Sequence, residues 1–145
     1  MRVESSIDIQ APAERVFAYV ADIARQPEWI GAVSAVSDIS GTPVEQGTTF
    51  RLSLALMGKT AEADQEVTRF EPNRVFAQST TSGPSPTEIT ITLSESGGVT
   101  TVHNVTEADI SSLGRLAGPI VVRTIRRQLD TDLQTLKSVL ERGSS

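Results

Sequence analysis

The sequence predicts an α+β domain in which a curved antiparallel sheet of about seven strands wraps around a long C-terminal helix. Three observations carry this. Hydrophobicity alternates with a period of two in one N-terminal segment and in six successive central ones. The turns between the central segments are too short for parallel crossovers, which need a dozen or more residues. The chain then ends on one long apolar stripe of helical spacing.

Val3, Ser5, Ile7 and Ile9 alternate with Arg2, Glu4, Ser6 and Asp8, the pattern of a half-buried strand. Ala11-Pro12-Ala13-Glu14 opens a helix, with Pro12 suited to its first turn. Val16, Phe17, Val20 and Ile23 line one face of it. Pro27 is expected to interrupt this pattern, and Glu28-Trp29-Ile30 to form a second short helical turn. Strands are predicted near 33–40, 47–57, 60–70, 74–81, 87–95 and 99–108. Gly41-Thr-Pro43, Gly58-Lys59, Glu71-Pro-Asn-Arg74, Gly83-Pro-Ser-Pro86 and Gly97-Gly98 separate them. Leu113, Leu116, Ile120, Ile125, Leu129, Leu133, Leu136 and Leu140 form the final helical stripe. Ser111 or Ser112 is placed to cap its start and Gly143 its end. Gly118-Pro119 predicts a kink or break after the first turns, because proline removes a hydrogen bond and clashes with the preceding turn. With no repeat and no linker, residues 1–145 read as a single domain. The order is strand, two short helices, six strands, long helix.

Composition narrows the function. The 145 residues carry a net charge of −5, and their one basic cluster, Arg123, Arg126 and Arg127, is soon followed by Asp130 and Asp132. Nucleic-acid binding needs a basic footprint, so nucleic acid is excluded as an expected partner. Cysteine is absent and His103 is the single histidine. That removes thiolate chemistry and makes a transition-metal site improbable. No glycine-rich phosphate fingerprint occurs, so no cofactor is expected. The charged N-terminus has no apolar core of a signal peptide, and no segment reaches the roughly 18 apolar residues of a membrane span. A cytoplasmic location is the resulting expectation.

A meander with one apolar face must cover it, and the final helix is the element long enough to do so. Its first turns, with Gly114, Gly118 and Pro119, are slender, which suggests a cavity beneath them. The chain resembles the START-like superfamily with the helix-grip fold, and within it the polyketide cyclase/dehydrase-type proteins. The residues carrying the resemblance are Ile9-Gln-Ala-Pro-Ala-Glu-Arg-Val-Phe-Ala-Tyr-Val-Ala-Asp22, Trp29, Val44-Glu-Gln-Gly-Thr-Thr-Phe50, Glu66-Val-Thr-Arg-Phe-Glu-Pro-Asn-Arg74 and Leu133-Gln-Thr-Leu-Lys-Ser-Val-Leu-Glu141. They run in order through essentially the whole chain. The resemblance implies the fold. For function it leaves lipid carriers, receptors, cyclases, hydrolases and chaperone-associated domains open.

Strand alternation assigns the candidate ligand-binding residues. Phe50, Leu52, Leu54 and Leu56 should face inward, as should Gln65, Phe76, Gln78 and Asn104. The three amides are then the polar groups that orient a ligand in an apolar pocket. A slip of one residue in the strand at 60–70 would instead turn Asp64 or Glu66 inward as a general-base candidate. The resemblance puts Tyr19 and Trp29 at a corner near the cavity mouth. Leu116 and Ile120, beside the Gly118-Pro119 kink with Leu113 and Val121, are expected to form a lid there. No serine–histidine–acid arrangement can be argued around His103. The first functional expectation is binding of a hydrophobic small molecule, lipid-like or aromatic and polyketide-like. An aromatase/cyclase or dehydratase acting in the same cavity is the second. A partner-binding domain with a collapsed interior is the third.

Overall fold

The computed structural model describes residues 1–56, 58–84, 86–109 and 118–142, with the backbone alone at Leu56. Among these, seven strands form one antiparallel sheet in the order β1-β7-β6-β5-β4-β3-β2. They are β1 (Arg2–Ile9), β2 (Val33–Ser37), β3 (Thr49–Leu56), β4 (Lys59–Glu71), β5 (Val75–Ser82), β6 (Thr87–Ser96) and β7 (Val99–Ala108). Five consecutive hairpin pairings run from β2 to β7. The sixth pairing brings the first strand back onto the last, with Arg2 opposite Glu107 and Ile9 opposite Thr100.

Between β1 and β2 lie α1 (Ala13–Val20), a 3-10 turn at Ile23–Arg25 and α2 (Gln26–Trp29). α1 buries Ala13, Val16, Phe17 and Val20, its apolar face at helical spacing. Its N-cap position is Pro12, which supplies no side-chain cap. Glu95 of β6 acts in its place, accepting from the Ala13 N–H at 2.6 Å. Pro27 does not interrupt a helix here. It sits in the first turn of α2, where a missing N–H costs nothing, and the second helical turn therefore begins at Gln26 rather than Glu28.

α3 (Gly118–Arg142) crosses the open side of the sheet, and Pro119 lies in its first turn. Leu113, Leu116, the predicted capping serines and Gly143 lie outside the described residues, as do the turns expected before a kink at Gly118-Pro119. The second half of α3 buries Leu129, Leu133, Leu136 and Leu140 at spacings of four, three and four. Leu133 and Leu136 are essentially inaccessible and pack with Ile9, Phe17, Ile23, Trp29, Phe76 and Val102 in one core. Phe17 meets Phe70 edge-on at 5.2 Å, and Phe70 meets Phe76 at 6.5 Å, linking α1 to the sheet. Polar ties hold the same half of α3 against the start of the chain. Lys137 Nζ donates to the Asp8 carbonyl at 2.8 Å, Glu141 accepts from the Gln10 N–H at 2.9 Å, and Arg15 donates to the Leu140 carbonyl.

Candidate functional site

The register fixes which side chains share the concave face of the sheet. Phe50, Gln65, Phe76, Gln78 and Asn104 are buried there together with Leu52, Ala63, Val67, Ile91, Val102 and Thr106. Asn104 stands between Ser5 of β1 and Ile91 of β6, and Gln78 between Val67 and Ile89. Leu54 is half-buried against the core, and Leu56 is placed on β3 by its backbone alone. The acidic row of β4 faces outward. Asp64 accepts from Arg51 Nε at 2.8 Å on the convex side, so it is no interior base.

The inward polar groups are uncharged and mostly paired with each other. Gln65 Nε2 donates to Thr80 Oγ1 at 3.0 Å, and Thr106 Oγ1 donates to Asn104 Oδ1 at 2.8 Å. Gln78 Oε1 accepts from Gln26 Nε2 at 2.7 Å, joining α2 to the sheet floor. Gln26 is 1% exposed, and the alternation of strands gave no reason to single out a helical glutamine. Beside it, one helical turn on, Trp29 is 3% exposed within the core. Two fully buried side-chain atoms have no partner among the described residues: Gln26 Oε1 and Trp29 Nε1.

Tyr19 lies at the same corner but on its outer side. Its hydroxyl donates to Glu28 at 2.9 Å and the Arg25 guanidinium lies 5.6 Å from its ring. Burial, reinforced by the neighbouring Glu28 carboxylate, pushes the phenol up to about 12. Ile120 does not share the interior. It stands 69% exposed because it precedes Leu129 by about two and a half turns and so points away from the buried stripe. Val122 and Ile125, half-buried, continue that stripe instead.

One acid is buried, and the sequence reading missed it within a run of charges. Asp132 of α3, 6% exposed, accepts from the Gly31 N–H at 3.0 Å and from Gln128 Nε2 at 2.7 Å. Desolvation raises its pKa above the usual carboxylate value, with both hydrogen bonds acting against the rise. The geometry makes it a clamp between α3 and the turn after α2.

The structure also assembles a serine–histidine–acid group that sequence spacing did not suggest. Ser6 Oγ lies 2.6 Å from His103 Nδ1, and Glu4 Oε1 lies 2.9 Å from Nε2. The bond from His103 holds the Glu4 carboxyl below its usual range. All three stand on the open convex face of β1 and β7, whose backbones pair with each other. The His103 and Glu4 side chains are 40% and 49% exposed there, whereas acyl transfer requires a water-excluding seat with converging oxyanion donors. The group is a cross-strand link. Two surface clefts, of about 300 Å³ around Ser40–Thr48 and about 440 Å³ between Arg2 and Glu107, touch none of the predicted site residues. No group of acids and histidine able to hold a metal occurs among the described residues. No described helix is long and apolar enough to cross a membrane.

A seven-stranded curled sheet gripping a long helix, with an uncharged polar band on its inner face, defines an α+β helix-grip fold. The chain belongs to the family described as polyketide cyclase / dehydrase and lipid transport, which it matches over residues 1–141. A protein of Thermus thermophilus has the same fold at a TM-score of 0.84, with 19% identity and all of both chains covered. A START superfamily protein of Mycobacterium smegmatis superposes with a TM-score of 0.79, 16% identity and 97% of each chain. The Zhui aromatase/cyclase of Streptomyces sp. R1128 gives 0.74 at 18% identity, covering 100% of this chain and 96% of the other. No curated protein matches the sequence.

Proposed function

We propose that this protein binds a hydrophobic small molecule, lipid-like or aromatic and polyketide-like, between the concave face of the sheet and the first half of α3. The observation that carries this reading is the chemistry of that face. Gln65, Gln78, Asn104 and Thr106 are buried as a few neutral polar groups among Phe50, Leu52, Phe76 and Ile91. An apolar wall with a few fixed polar groups suits a largely apolar ligand that must be oriented. Family membership and the fold agree with it. Trp29 and Leu54 complete the proposed wall, with Leu56 at the end of β3; Tyr19 belongs to the rim.

The test is native mass spectrometry of the purified protein, followed by denaturing extraction of whatever is bound. A stoichiometric apolar molecule is expected. Leu54→Arg should abolish its retention, and Asn104→Leu should weaken it while leaving the fold intact. An empty protein that gains no thermal stability from a panel of fatty acids and polyphenols argues for a collapsed, partner-binding interior instead.

A second reading, cyclisation or dehydration of a polyketide-like substrate, draws on Asp132. It is a buried carboxyl of raised pKa on the gripping helix, suited to act as a general acid. On that reading Asp132→Asn keeps ligand binding but loses turnover. Unchanged turnover would leave Asp132 a structural clamp alone.

A further inference from the structure

The observations carry furthest at the corner where α2 meets the sheet floor. Buried polar groups are almost always hydrogen-bonded, because a buried group whose bond is unmade has lost its water and gained nothing in return. Here two atoms fail the rule among the described residues, on side chains one helical turn apart in α2. Trp29 Nε1 is a donor and nothing else, and Gln26 Oε1 is an acceptor and nothing else. They project from α2, three residues apart, and both side chains are buried. Gln26 cannot turn to relieve its own deficit at no cost, since its amide nitrogen is engaged by Gln78 at 2.7 Å. Its floor is thus fixed by β5, and the indole is fixed by the surrounding core.

An orphan donor one helical turn from an orphan acceptor is the complement of one kind of group. A hydroxyl accepts through its oxygen and donates through its hydrogen. A carbonyl or an ether oxygen serves the indole but leaves the glutamine oxygen facing a second acceptor. A carboxylate adds charge that no cation on the inner face balances, since the inward residues of β3 to β7 are uncharged. We infer that Trp29 Nε1 and Gln26 Oε1 form a hydroxyl-recognition subsite, and that the apolar molecule bound by this protein is a neutral phenol or alcohol. The inference rests on the ligand-binding reading above and specifies which end of the ligand goes where. The hydroxyl sits at the α2 corner, and the apolar body extends along the face lined by Phe50, Leu52 and Phe76.

Trp29 is the sole tryptophan, so it reports on the subsite without interference. The full-length protein is titrated with 2-naphthol, 2-methoxynaphthalene and naphthalene, three probes of similar apolar body. Binding is followed by Trp29 fluorescence, and the single indole N–H by proton–nitrogen NMR. 2-Naphthol should bind roughly tenfold more tightly than the ether, which keeps the acceptor but lacks the donor. It should also move the indole proton downfield. In Gln26→Leu the naphthol and the ether should bind alike, because only the bond to the glutamine separates them. Equal affinity of all three probes for the wild-type protein, with the indole proton unmoved, overturns the subsite and leaves the pocket reading standing. So does an indole proton already downfield in the free protein and unaffected by naphthol, which identifies a resident water as the partner. Failure of all three to bind overturns the pocket reading and the subsite with it. The wild-type measurements decide these outcomes even if Gln26→Leu does not fold.

Discussion

Gly31 and Gly83 show how the same change meets two different obstacles. A Cβ on Gly31 would lie 2.5 Å from Gln128 Nε2, the free end of a flexible side chain. Gly31→Ala should therefore cost only about 1 kcal/mol, the hydrogen bond between Gln128 and Asp132 that must break as Gln128 swings away. In a Gln128→Ala background that cost should vanish, which a double-mutant cycle in urea reads directly. Gly83 has φ +135° and its Cβ would meet the Ala63 Cα and the Glu62 carbonyl at 3.0 Å, all backbone. Gly83→Ala should cost about 1–3 kcal/mol, with no single truncation able to restore it. Asp132 belongs to the same scale. Its pKa is raised on folding, so the native state holds its proton more tightly than the unfolded chain does. Its contribution is fully favourable below the ordinary carboxylate value and is lost as pH rises through the folded one. Asp132→Asn should then gain stability relative to wild type as pH rises above the ordinary carboxylate value, and a stability difference that does not change with pH would remove the assignment. Residues such as Gln65, Gln78 and Asn104 could be read from alternation because a strand has only two faces. Gln26 and Asp132 could not, since on a helix the buried arc depends on which partner the helix packs against, and that is settled by tertiary contacts.

At the scale of elements, the strands were the most legible part. β4 to β7 lie within one or two residues of the predicted spans, because glycine pairs and proline turns punctuate them. β2 was overextended to residue 40: pairing with β3 shifts register between Val33 and Ala35 and stops at Ser37, and Asp38 takes a positive φ of 54°. The helices were harder. Pro27 was read as a break when it is a start, since proline is tolerated in a first turn and disruptive in later ones, and sequence alone does not say which turn it is in. Ile120 joins the expected apolar stripe and lid, yet stands 69% exposed, because spacings of three to five residues can be threaded through a helix in more than one way. α1 shows a dependence no local pattern reveals, its first N–H being satisfied by Glu95 from β6. Glu95→Ala should destabilise the protein by about 1 kcal/mol, the usual worth of an N-terminal cap, and Glu95→Gln by less. Equal stability of all three in urea would show the contact to be dispensable.

For the molecule as a whole, the fold was legible because every level of the sequence agreed on it: alternation, turns and a single covering helix. The interior's purpose was not, because a wall that packs and a wall that binds use the same apolar residues. Occupancy separates the two by mass action. At a ligand concentration a hundredfold above Kd the folded state should gain about 2.7 kcal/mol. For a chain of 145 residues that is a rise in Tm of roughly 5–10 °C. Trp29→Phe should reduce that rise for a hydroxylated ligand and spare it for a pure hydrocarbon, which offers the indole no acceptor.

The pairing of β1 with β7 bears on how the chain is made. Arg2 is opposite Glu107, and Lys137 donates to the Asp8 carbonyl across 129 positions of sequence. A ribosome delivers the first of these partners long before the second. The opening strand must wait, with one alternating row of apolar side chains and an unpaired backbone, until the closing hairpin and then the final helix emerge. The five hairpins from β2 to β7 can zip in the order of synthesis, but the sheet gains its seventh strand only after β7 has been made. Waiting of this kind exposes a nascent edge to other chains, and it makes the first ten residues the last to commit.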